Sequence, residues 1–377
     1  MLRLARLFAG LILIILTCSA CSLSLPAAES GFPAENMRLL ARISAGGEFA
    51  IDPRGEQVAF ARGGLRLMSA GQDRELQLAD EIPLALAWSA DGERLAASFG
   101  DGGLSRLVVY DGHGQELRSA TVEGRITQLR WTPAGELLAL TVRLKIFSFG
   151  ANQRALLLRL DQRGNVRELP LFDGTLKLKT VTGYGETLYR FFRFDLAPLG
   201  DEIVYTRLAD PPVIRKSIKL VHQHLEAGAA REVYELPLEA GGVFWSADSE
   251  SLWLSNGSSG TFRYSPWRNR VEEERPLPGR NLAVSRRTEM QYVDGRLYLD
   301  GALIATLRDG RARFSGNGRL LLVAAGEQLF SYQLPAAGSP QPVDTDRLGR
   351  LLQLRQLRSR QLLTLEEYQQ TRESLLR

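Results

Sequence analysis

Three histidines and two cysteines are the obvious candidates for chemistry in this chain. His222-Gln223-His224 puts two imidazoles on one face of a strand, because successive side chains alternate, and imidazole is a good zinc ligand. A third ligand is not at hand: His113 sits apart in the turn Asp111-Gly112-His113-Gly114, and no cysteine follows Cys21. His222 and His224 are therefore weak metal candidates that read first as a solvated strand face, and no cofactor is expected. Gly257-Ser258-Ser259-Gly260 lacks the spacing of a nucleophile elbow and reads as a hairpin loop, and no phosphate-loop or dinucleotide fingerprint occurs. Gly100-Asp101-Gly102-Gly103 lacks the spaced carboxylates that a calcium loop needs. An enzyme site here would have to be assembled in space from several segments.

The elements available to do so announce themselves in Trp88-Ser89-Ala90-Asp91-Gly92, followed by the apolar run Leu95-Ala96-Ala97. An aromatic, a small polar residue and a tight turn recur at Phe49, Trp131, Phe194, Trp245 and Phe314, each before a strand. Asn281 to Thr306 supplies a worn further copy. Units of about 40 residues with four short strands predict an all-β propeller of about seven blades, within a range of six to eight, over residues 37–338. The unit resembles the repeats of TolB and of WD40-like periplasmic proteins, although proline precedes the turn aspartate in no copy. That resemblance implies a binding disc; the alternative is a lactonase, lyase or hydrolase with its site in the central channel.

Strand edges must be closed, so Leu39 to Ile43, which has no hairpin of its own, is expected in one blade with Gln328 to Leu334. The long interval from Phe147 to Phe194 reads as an elaborated blade and not as a second domain. Within it Tyr184, Tyr189, Phe191, Phe192 and Phe194 alternate with Arg190 and Arg193. This cluster reads first as blade core with outward arginines and second as a partner patch centred on Tyr184, Tyr189, Phe192 and Arg193.

Two arginines followed by the apolar run Leu7 to Leu16 are too short to span a bilayer and predict a signal peptide over residues 1–20. The ending Ser19-Ala20-Cys21-Ser22 resembles a bacterial lipoprotein signal, which implies lipidation of Cys21, with Cys18 the poorer alternative. With serine and not aspartate after the cysteine, the resemblance implies the outer membrane, facing the periplasm. Residues 21–36, rich in Ser, Ala, Pro and Gly, read as the tether.

Past Pro340 the pattern becomes helical, and Thr364 with Glu367 forms a capping box. Residues 345–377 resemble the short C-terminal SHOCT module, a helical hairpin associated with oligomerisation or partner contact. The resemblance makes Leu357, Leu363, Tyr368 and Leu375 candidates for such contacts. A net charge of only +4 gives no argument for nucleic acid, which is not expected as a partner. The expected partners are the membrane through the lipid, an envelope protein, and a second copy through the hairpin.

Overall fold

In most repeats the residue after the inner strand folds the turn by its own side chain, the fourth blade, with Ala197 there, being an exception. Ser89 Oγ accepts the Arg94 N–H at 2.9 Å and donates to Asp91, while Gly92 N–H reaches Ser89 C=O at 3.0 Å. Gly92 has φ +74°, which costs glycine little; in the corresponding fifth-blade turn Ser249 takes that region at φ 57°. Ser315 repeats the arrangement, accepting the Leu320 N–H at 3.0 Å and donating to Asn317 at 2.7 Å. Thr132 and Asp52 likewise accept N–H groups of Glu136 and Gln57 at 3.0 and 2.9 Å. Ser89→Ala is expected to lower stability by about 1 kcal/mol in urea unfolding. The loss should fade in acid: the Ser89 hydroxyl holds the Asp91 carboxyl below the ordinary 3.8, so this stabilisation is present above that value and disappears as pH falls through the depressed one.

The computed structural model describes residues 36–334, apart from 70–73, 101–102, 148–149, 178–188, 190–191, 209–216, 227–229, 238–241 and 248, together with separate positions from 350 to 371. Strand β1 (Met37–Arg42) is followed by the first blade, β2 (Phe49–Ile51), β3 (Gln57–Ala61), β4 (Leu65–Ser69) and β5 (Glu75–Ala79). The second comprises β6 (Ala85–Trp88), β7 (Arg94–Gly100), β8 (Leu104–Asp111) and β9 (Glu116–Glu123). The third is β10 (Arg125–Trp131), β11 (Leu137–Phe147), β12 (Gly150–Leu160) and β13 (Val166–Lys177). The fourth is β14 (Phe194–Leu196), β15 (Glu202–Leu208), β16 (Ser217–His224) and β17 (Ala230–Pro237). The fifth is β18 (Val243–Trp245), β19 (Leu252–Ser255), β20 (Thr261–Ser265) and β21 (Arg270–Arg275). The sixth is β22 (Leu282–Val284), β23 (Gln291–Val293), β24 (Arg296–Leu299) and β25 (Ala302–Thr306). The seventh holds β26 (Arg311–Phe314), β27 (Leu320–Ala325), β28 (Gln328–Gln333) and, from the other end of the chain, β1.

Seven four-stranded blades answer the expectation of about seven, and the worn copy at Asn281 to Thr306 holds the sixth. The closing pair is as expected: β1 runs antiparallel to β28, with Met37 opposite Tyr332 and Arg42 opposite Gln328. In the Phe147–Phe194 interval the long strands β12 and β13, of 11 and 12 residues, complete the third blade behind the 11-residue β11, and residues 178–188 and 190–191 lie outside the described ones.

Burial explains which residues each strand uses. Middle strands are covered on both faces by neighbouring blades, so β7 reads Leu-Ala-Ala-Ser-Phe without a break and β19 is buried throughout. Outer strands alternate, as in β21, Arg-Val-Glu-Glu-Glu-Arg, whose charged side chains guard an edge. Each adjacent pair of blades shares an apolar cluster, from Leu86 and Trp88 between the first two to Ile43, Phe49 and Leu322 across the closing seam. Trp131 Nε1 donates to Ala87 C=O at 3.1 Å and Trp245 Nε1 to Asp195 C=O at 3.2 Å, so these indoles also tie their blade to the one before.

The C-terminal expectation is met only in its detail. Thr364 N–H donates to Glu367 Oε2 at 2.8 Å and Glu367 N–H to Thr364 Oγ1 at 3.2 Å, the two bonds of the capping box. Among the described residues, however, no continuous helix follows, and a hairpin over 345–377 is not delimited.

Candidate functional site

The innermost strands line the central channel, and they carry charges that the apolar pattern would not require there. Neighbour follows neighbour around the ring as β26, β2, β6, β10, β14, β18 and β22, so β10 and β26 stand on opposite sides. Asp195, in the middle of β14, is 1% exposed and is the meeting point of four blades. Arg130 from β10 approaches its Oδ1 at 3.3 Å. Arg286, just past β22, donates through Nη2 to both carboxylate oxygens at 2.7 and 2.8 Å and to Leu196 C=O at 3.0 Å. Trp245 N–H of β18 completes the set, reaching Oδ2 at 2.9 Å. A carboxylate so fully engaged is a fixed anchor for guanidinium groups, with no lone pair turned toward a ligand.

Across the channel Glu48, one residue ahead of β2, plays the same part. Its Oε1 accepts from Arg311 at 2.7 Å and its Oε2 from Arg313 at 2.9 Å. Both arginines also lie over the Phe49 ring, with guanidinium carbons 5.5 and 5.7 Å from its centroid. Two carboxylates thus hold four guanidinium groups. The excess positive charge is felt: burial first, then repulsion from Arg313 and Arg286, pushes the Arg130 guanidinium below its ordinary pKa against the pull of Asp195.

The histidines lie elsewhere. His222 on β16 is buried, its Nε2 3.5 Å from Glu202 Oε2 and its ring edge-on to Trp245 and Trp267 at 5.9 and 5.0 Å. His224 Nδ1 accepts the Glu226 N–H at 3.1 Å. Among the described residues, no group of three or more His, Cys, Asp or Glu side chains is placed to hold a metal ion.

Of the aromatic cluster, Phe192 is buried in the core between the third and fourth blades, Tyr189 packs on that core with Arg125 over its ring at 4.9 Å, and Arg193 is exposed. In the tail, Tyr368 is 1% exposed with its ring 5.8 Å from Trp267 of the fifth blade, while Leu357 is exposed and Leu363 half-buried. Cys21, Tyr184 and Leu375 fall outside the described residues. The sequence reasoning passed over Arg130, Asp195, Arg286, Arg311, Arg313 and Glu48. The available signal was a charge inside or next to an inner strand, as in Phe194-Asp195-Leu196 and Arg311-Ala312-Arg313-Phe314.

No protein-family model matches this chain, and no curated protein does. Similarity appears among solved structures. A chain of the mitotic checkpoint complex superposes with a TM-score of 0.52 at 16% identity, covering 79% of this chain and 90% of that one. The β-propeller domain of Cps50 (Swd1) from Myceliophteria thermophila gives 0.53 at 11% identity, covering 79% of this chain and all of that domain. At such identities the likeness speaks for architecture alone: the chain folds as a seven-bladed, WD40-like β-propeller.

Proposed function

We propose that this protein is a lipid-anchored lipoprotein of the bacterial cell envelope whose propeller serves as a periplasmic protein-binding scaffold. The observation that carries the reading is the channel wall, where buried or half-buried carboxylates are used to brace four arginines, an arrangement suited to holding a partner and not to moving protons. A rigid closed disc presents its loops without reorganisation, which keeps the entropic cost of binding low. The leader supports the location: acylation of Cys21 would fix the disc to the outer membrane at the end of a tether of about fifteen residues, and two or more acyl chains give stable anchoring. The segment 345–377 acts as a SHOCT-like hairpin, with Tyr368 seated on Trp267 and Leu357 left outward for docking or self-association.

Crosslinking in intact cells, followed by mass spectrometry, tests this reading. The wild-type chain should recover an envelope protein, and Cys21→Ala should lose both the acyl label and most of that product. Recovery of no partner by the wild type would sink the scaffold, and retention of the label by Cys21→Ala would sink the anchor.

A further inference from the structure

We propose that the channel binds a phosphate-class dianion between Arg286 and Arg313, held by the guanidinium groups that Asp195 and Glu48 brace on opposite walls. This names the chemistry of what the channel holds and rests on the binding reading above.

Three features of the cluster point to that ligand. The first is charge: Arg130, Arg286, Arg311 and Arg313 face two carboxylates, leaving an excess that matches a dianion. The second is unused donor capacity. A guanidinium carries five N–H donors in a planar fork. Arg286 and Arg313 each turn only Nη2 to protein acceptors among the described residues, and their side chains are 40% and 35% exposed, so donors remain available to a ligand. The third is direction. Arg286, just past β22, and Arg313, on β26, come from adjacent inner strands, and Arg130 of the third blade shares Asp195 with Arg286; donors supplied by several blades suit a tetrahedral oxyanion better than a flat carboxylate. The lowering of the Arg130 pKa, caused first by burial and then by Arg313 and Arg286, agrees with this placement.

The braces also explain why the site survives without a ligand. Asp195 and Glu48 fix the inner edge of each guanidinium, so binding needs little ordering of long side chains. A tetrahedral anion then accepts from the outer edges and relieves the repulsion.

Calorimetric titration of the full chain in detergent at low salt tests the assignment, with inorganic phosphate and glycerol 3-phosphate as probes. Succinate and sodium chloride at matched ionic strength are the controls. Saturable binding of a phosphate probe is expected, weaker by about tenfold or more in Arg286→Gln and in Arg313→Gln, each of which removes charge-assisted hydrogen bonds from a partly exposed position. Arg313→Lys should fall between, since it keeps the charge but loses the fork. Unchanged circular dichroism and a cooperative thermal transition well above the titration temperature will show that the variants are folded. Tighter binding of the ester marks an esterified phosphate as the source, and tighter binding of the free ion marks inorganic phosphate. Absence of saturable binding above the chloride control, equal affinity for succinate, or unchanged affinity in both glutamine variants would overturn the proposal. Recovery of a crosslinked partner alongside any of those results leaves the scaffold standing and removes the anion site alone.

Discussion

Asp195→Ala is expected to destabilise the folded protein by about 3–5 kcal/mol, seen as a lower urea midpoint with an unchanged slope. Removal of this 1% exposed carboxylate leaves the partly buried Arg130 guanidinium without its counter-ion and orphans the Trp245 N–H. It also frees Arg286 from its bidentate seat, so three blades lose a shared tie at once. Asp195→Asn should cost less, because the amide oxygen still accepts the Trp245 N–H, although the charge balance with Arg130 and Arg286 is gone. Arg286→Ala should cost least, since its side chain is 40% exposed and the pair then loses a partner that water replaces. A flat series across the three variants would show that Asp195 does not organise the channel wall.

Deletion of residues 37–43 should open the ring. The loss strips β28 of its partner along the register from Met37–Tyr332 to Arg42–Gln328 and removes Ile43 from the cluster at the seam. Ile43 is 4% exposed, and emptying such a site costs about 2–5 kcal/mol by itself. The uncovered edge of β28 then becomes a template for a second chain. The expected outcome is a thermal midpoint lowered by several degrees, together with oligomers in light scattering at concentrations where the intact chain gives one species. A truncated chain that stays monomeric with an unshifted midpoint would show that the seventh blade closes without β1. If residues 21–36 form the proposed tether, it leads directly into this strand, so the blade that completes the ring would also carry the load from the proposed anchor.

How much of this could be read beforehand depends on how local each feature is. The turn after the inner strand is written in five successive residues, Trp88 to Gly92, because the serine hydroxyl, the aspartate and the glycine φ act within that span, and repetition along the chain then gives blades and their approximate number. Closure was legible for a related reason: a strand without a hairpin at one end and another at the opposite end have unsatisfied edges that only each other can cover. Register was less legible. In the first and fourth blades the quoted aromatics, Phe49 and Phe194, begin the inner strand, two residues before the position that Trp88 occupies, since Ile51 and Leu196 fill that position there.

The arginine cluster was invisible for the opposite reason. Arg130 and Asp195 are 65 residues apart, and Arg286 lies 91 beyond Asp195, so nothing in sequence order pairs them. Period and turn chemistry say only that each sits on or beside an inner strand. Which inner strands become neighbours, and which face one another across the channel, is decided when seven blades close into a ring. Sequence by itself determined the repeat, the turn and the closing strands, because their causes are local hydrogen bonds and edge satisfaction. The tertiary structure alone decided that charges scattered over blades would meet around Asp195 and Glu48, because that meeting depends on ring geometry.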